Sequence, residues 1–103
     1  KCVWGDAFES IKSVKDDNYD KIFVDLNDDQ FCIDLAAKNM DQLVRILKPK
    51  GIITAQVGSQ DKKPKQVDKW LKVFNKNFGN ATLDRVYIPS FDCSWNFSSS
   101  INY

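Results

Sequence analysis

Histidine is absent from the 103 residues. Imidazole acid–base chemistry and His-containing metal sites are therefore excluded from this chain. Cysteine is sparse: Cys2, Cys32 and Cys93 are scattered, and no C-x-x-C pair occurs. Neither a zinc site nor a redox motif is indicated. Three reduced thiols are expected instead of a disulfide scaffold, which places the chain in the cytoplasm or another reducing intracellular compartment. Neither sign of charge is in excess, with 15 Lys and Arg against 14 Asp and Glu. That balance argues against a dedicated nucleic-acid or acidic-membrane binder. No apolar run approaches the ~18 residues of a membrane span. Four glycines and three prolines leave no long flexible linker, and no internal repeat is visible. Residue 1 is Lys, not Met, and no signal-type core follows it. The chain is thus expected to be processed, cut from a longer one, or partly observed.

What is present reads as a globular unit, 43% hydrophobic and 13% aromatic. Its length allows one domain at most, over residues 1–103. A chain this size hides only about two thirds of its unfolded surface, so a partner or neighbouring sequence matters to it.

Cys2-Val3-Trp4 is a short apolar strand-like start, broken by Gly5-Asp6. Phe8, Ile11 and Val14 predict a short helix over residues 7–14. Residues 21–26, K-I-F-V-D-L, form a nearly continuous apolar run, as in a strand covered on both faces. A longer helix is expected over residues 31–48, with Leu35, Ala36, Met40, Leu43, Val44 and Leu47 on its buried face. Pro49-Lys50-Gly51 would stop it. Residues 52–57 read as a strand. Residues 65–78 read as a helix closed by Gly79-Asn80, and residues 82–88 as a third strand. A final strand over 95–101 alternates Trp95, Phe97, Ser99 and Ile101 with polar neighbours. The alternation predicts an α/β doubly wound fold with a mostly parallel sheet. It ends in an antiparallel hairpin, as in the methyltransferase variant of the Rossmann class.

In such sheets ligands collect at the C-terminal ends of strands. Four segments qualify: residues 5–7, 25–29, 56–59 and 88–92. The acidic tip carries the strongest chemical signal, with Asp25, Asp28 and Asp29 close together. Gathered carboxylates repel one another and suit a polyamine, another amine or an oxygen-ligated metal. A carboxylate beside a protonated amine can also take its proton and free a nucleophile. Equally, Asp28 or Asp29 can cap the next helix while Asp25 is solvated. Asp6 can accept from an adenine amino group or cap the helix beginning at Ala7. Gln56 can present an amide to a ligand or tie down its loop. Trp95 and Phe97 fit a core better than a ligand platform, and Lys62, Lys63 and Lys65 fit an ordinary solvated loop.

Taken in order, these segments resemble the spermidine synthase family of aminopropyltransferases. The matching stretches are G-D-A-F-E-S-I at 5–11, Y-D-K-I-F-V-D-L-N-D at 19–28, L-K-P-K-G-I-I-T-A-Q-V-G-S at 47–59 and V-Y-I-P-S-F at 86–91. The resemblance covers nearly the whole chain but corresponds to the C-terminal half of the family's catalytic domain. It implies aminopropyl transfer from decarboxylated S-adenosylmethionine, a co-substrate and not a bound cofactor, to a diamine such as putrescine. By that resemblance Asp25 helps deprotonate the attacking amine. Asp28 holds an amine, Asp6 and Ala7 face the adenine, and Gln56 and Phe91 line the acceptor pocket. No metal is implied.

Several positions depart from the family's pattern. Its Asp-Pro is Asp28-Asp29 here, and Gln30-Phe31-Cys32-Ile33 replaces the following Gly-Pro-Ala segment. Phe91 stands where the family has Tyr, and no G-x-G occurs to bind the donor. The missing N-terminal half, or a partner chain, is therefore expected to complete the site. Homo-oligomers and larger assemblies are the expected settings. The alternative is a catalytically inactive subunit that serves as a structural component of such an assembly.

Overall fold

The computed structural model describes residues 3–26, 30–91 and 93–103, with Phe91 described by its backbone alone. Asp6 opens the first helix, α1 (Ala7–Ser10), its Oδ1 accepting from the Phe8 N–H at 2.9 Å. The chain then tightens into a 3-10 turn, Ile11–Ser13. There the Ser13 hydroxyl donates to the Ser10 carbonyl, so the helix expected over 7–14 is shorter and mixed. Val3 and Trp4 carry no strand and stand exposed. A strand needs a neighbour, and Gly5, at φ 125°, turns the chain just after them.

Strand β1 (Tyr19–Val24) starts earlier than expected and stops before Asp25. The long helix expected over 31–48 is two helices, α2 (Gln30–Lys38) and α3 (Met40–Ile46). Asn39 separates them. Its side-chain Nδ2 donates to the Leu35 carbonyl at 2.8 Å, competing with the helical ladder. Leu47 already belongs to strand β2 (Leu47–Gly58), so Pro49 lies inside a strand and does not stop a helix. The ladder tolerates it because the β1–β2 register shifts between Tyr19 and Lys21, leaving Lys48 to Gly51 bulged.

Helix α4 (Pro64–Phe78) follows the sequence reading closely. Pro64 sits at its start, and Gly79 closes it with φ 77°. Val67, Trp70 and Phe74 form its buried stripe. Then come β3 (Thr82–Ile88), a 3-10 turn (Pro89–Phe91) and β4 (Cys93–Ile101).

The sheet order is β1-β2-β4-β3. β1 and β2 are parallel, and β4 runs antiparallel to both β2 and β3. Three strands therefore share one direction, and the β3–β4 hairpin closes the far edge.

The two faces of the sheet differ. Ile53, Ala55 and Val57 of β2 join Ile33, Leu43, Ile46, Val67, Trp70 and Phe74 in one core, so α2, α3 and α4 cover one face. Alternation sends Lys21, Phe23, Ile52, Thr54 and Val86 to the other, where Phe23, Ile52 and Val86 are exposed. β1 is thus covered on one face, not on both. The last strand is inverted relative to expectation. Asn96, Ser98 and Ser100 are the buried residues under α4, while Trp95 and Phe97 lie half-buried on the open face.

Candidate functional site

A cavity of about 420 Å³ opens at the free edge of β1, between that strand, α1 and α3. Its walls are mostly apolar, including Phe8, Ile11, Val24 and Leu43. Asp25 and Ala7 both line it. Two residues singled out in sequence segments far apart thus line one concavity, which runs along the free edge of β1 from Tyr19 to Leu26.

Each is held there by its element. β1 ends at Val24, which aligns with Ala55, so Asp25 is the first residue beyond the ladder. The strand's alternation makes Asp25 exposed while Val24 and Leu26 are half-buried. Ala7 stands at the first position of α1 because Asp6 caps that helix. Asp6 is exposed, with one oxygen committed to the Phe8 N–H. The capping role expected as one of its two readings is present.

Gln56 lies on β2, next to the end of β1. Both ends of its amide are engaged by protein. Its Nε2 donates to the Leu26 carbonyl, and its Oε1 accepts from the Trp95 indole N–H at 2.7 Å. Gln56 thereby joins β1, β2 and β4 at one end of the sheet. Of the other expected site residues, Asp28 and the side chain of Phe91 lie outside the described residues. Among the described residues no group of three His, Cys, Asp or Glu side chains converges as a metal site. None of the described helices is long and apolar enough to cross a membrane.

Trp95 is the site neighbour that sequence reasoning assigned to the core. Its place on the same face as Phe97 was visible in the alternation. Its contact with Gln56 depends on β4 lying beside β2, which no local pattern reports. The loop lysines Lys62, Lys63 and Lys65 are exposed, and with Lys69 they line a separate shallow hollow at the start of α4.

Three co-directional strands, an antiparallel strand inserted between two of them and helices over one face define a Rossmann-like α/β unit of the methyltransferase type. The sequence matches the spermine/spermidine synthase domain over residues 1–102, and the chain belongs to that family. A search of curated proteins found no matching sequence. Among solved structures, the chain is similar to spermidine synthase from Thermotoga maritima, with a TM-score of 0.82 and 14% identity. That match covers 100% of this chain and 35% of the other. It is also similar to a spermidine synthase in complex with the transition-state analogue AdoDATO, with a TM-score of 0.84 and 14% identity. There it covers 100% of this chain and 36% of the other. A more distant likeness is the N-methyltransferase NodS from Bradyrhizobium japonicum WM9, with a TM-score of 0.61 and 13% identity. That alignment covers 89% of this chain and 55% of NodS. The chain spans about a third of the length of the two spermidine synthases.

Proposed function

We propose that this chain forms the acceptor-side, C-terminal part of an aminopropyltransferase domain. Together with a donor-binding half, in the same polypeptide or a partner, it transfers an aminopropyl group from decarboxylated S-adenosylmethionine to a diamine such as putrescine. The observation that carries the reading is the shared cavity of Asp25 and Ala7 in a member of this family.

The chemistry asks little of the protein beyond placement and one proton transfer. The acceptor amine attacks the propyl carbon next to the sulfonium. The carbon–sulfur bond breaks with its electron pair going to sulfur, and methylthioadenosine leaves. Asp25 takes the proton from the amine, which frees its lone pair for in-line attack. Asp28 would add a second carboxylate for the dication. The apolar wall near Ala7 suits the flat adenine, and Asp6 and Ala7 would meet its edge. Gln56 and Phe91 would border the acceptor.

The open sheet face favours a second reading, an inactive subunit that docks within a larger assembly. One experiment separates the two. Putrescine and decarboxylated S-adenosylmethionine are supplied to the protein with its donor-binding half, and spermidine and methylthioadenosine are followed by mass spectrometry. Transfer is expected, and Asp25→Asn should lower it about 10²- to 10⁴-fold, the usual contribution of a positioned base. A wild type that neither transfers nor binds methylthioadenosine rejects the enzymatic reading and leaves the assembly role.

A further inference from the structure

We propose that Trp95 is a positioning residue for Asp25 and acts through Gln56. The inference rests on the reading of Asp25 as the proton acceptor. It begins from a gap in the ladder. The last β1–β2 partners are Val24 and Ala55, so Asp25 and Leu26 run beyond regular pairing. Among the described residues no hydrogen bond or ion pair reaches the Asp25 carboxylate, so its place is set by the backbone that carries it.

That backbone is held by a side chain. Gln56 Nε2 donates to the carbonyl of Leu26, the residue immediately after Asp25, and replaces the ladder bond that is missing there. An amide can be turned either way round, and only one orientation works. The indole N–H of Trp95 is a donor only, so it takes the amide oxygen, at 2.7 Å. The Leu26 carbonyl is an acceptor only, so it takes the amide nitrogen. Trp95 thus fixes the rotamer that lets Gln56 grip β1. Alternation places Gln56 and Asp25 on the same face of the sheet at neighbouring strand ends. The three residues come from β2, β4 and the end of β1, so the grip ties the catalytic carboxylate to the rigid centre of the sheet.

Two variants test this. Trp95→Phe keeps the ring and removes the donor. Gln56→Glu keeps the shape and turns the donor facing Leu26 into an acceptor. The first readout needs no turnover: NMR of the intact protein. Both variants should move the Leu26 carbonyl carbon upfield and lower the backbone order parameter at Asp25 toward flexible values, below about 0.6. Unchanged Leu26 and Asp25 signals in both variants overturn the proposal. The second readout is kinetic. Each variant should lower kcat about 10- to 100-fold, as for a slightly misplaced reacting group, with the donor KM unchanged. The Trp95→Phe/Gln56→Glu double variant should lose no more than either single one, as for residues acting as one unit. Additive losses overturn the proposal. Should the wild type transfer nothing, the reading of function falls, and the NMR result alone decides whether Trp95 and Gln56 hold Asp25.

Discussion

Arg45 shows how much one side chain can organise. From α3 its guanidinium donates to the carbonyl of Val14, to that of Ile11 at 2.9 Å, to Gln42 Oε1 at 2.9 Å and to Asp16 Oδ1 at 2.8 Å. The carboxylate partner matters least, because Asp16 is 74% exposed and water screens the pair. The two carbonyls matter more. They close the 3-10 turn after α1, where no ladder partner exists, and so fix the wall of the cavity. Arg45→Ala should cost about 1.5–3 kcal/mol, the range for hydrogen bonds to a charged donor, read by urea denaturation. Arg45→Lys should recover little of it, because one ammonium cannot reproduce the planar fork. A loss no larger than that of an exposed ion pair would mean that the turn holds without it.

At the scale of elements, β2 depends on a close approach at Gly51. A Cβ there would lie 2.6 Å from Leu47 Cδ1 and 2.8 Å from the Lys48 carbonyl oxygen. The first neighbour can rotate away, but the second is backbone. Gly51→Ala should therefore destabilise the protein by about 1–3 kcal/mol, the scale of overpacking. It should also loosen the β1–β2 pairing nearby, seen as faster amide exchange at Lys21 and Ile22. Unaltered exchange would show that the bulge can absorb the methyl group.

The elements also show what the sequence made readable. Helix α4 was legible because Val67, Trp70 and Phe74 repeat at three and four, between a Pro start and a Gly stop. β3 was legible because its length and flanking breakers agree. The faces of β4 were not. Alternation separates two sets of residues but cannot say which set a distant helix covers, and the small serines leave room beneath α4. The split at Asn39 was equally hidden, because the apolar stripe runs through it unbroken. Of the residues lining the cavity, the strand-end rule singled out Asp25 after β1, whereas Ala7 was named through a strand that Val3 and Trp4 do not form. The union of Gln56 with Trp95 required the order of the sheet.

For the whole molecule, the open face dominates behaviour. Phe23 is 74% exposed and Val86 46%, with Ile52, Trp95 and Phe97 between them on the same surface. A contiguous apolar surface of this kind marks an interface or an association hazard. The protein by itself should bind a hydrophobic dye and scatter light as its concentration rises. Phe23→Lys should reduce both, and so should the donor-binding half. A wild type that stays dark with the dye would mean that this face is closed in solution.

The place of β4 has a further consequence, for the order in which the sheet can form during synthesis. Residues 93–101 supply two of the three strand pairings, joining β2 to β3, and they bring Ile101 back to Ile52. Asn102 adds a bond from its backbone N–H to the Gly51 carbonyl at 2.9 Å. Until that segment has left the ribosome, β3 has no neighbour and one side of β2 is bare. Of the three described pairings, only β1–β2 can form before then. Non-local pairing of this kind is slow and leaves strand edges open while it waits. These four strands are therefore most exposed to wrong pairing just before β4 emerges.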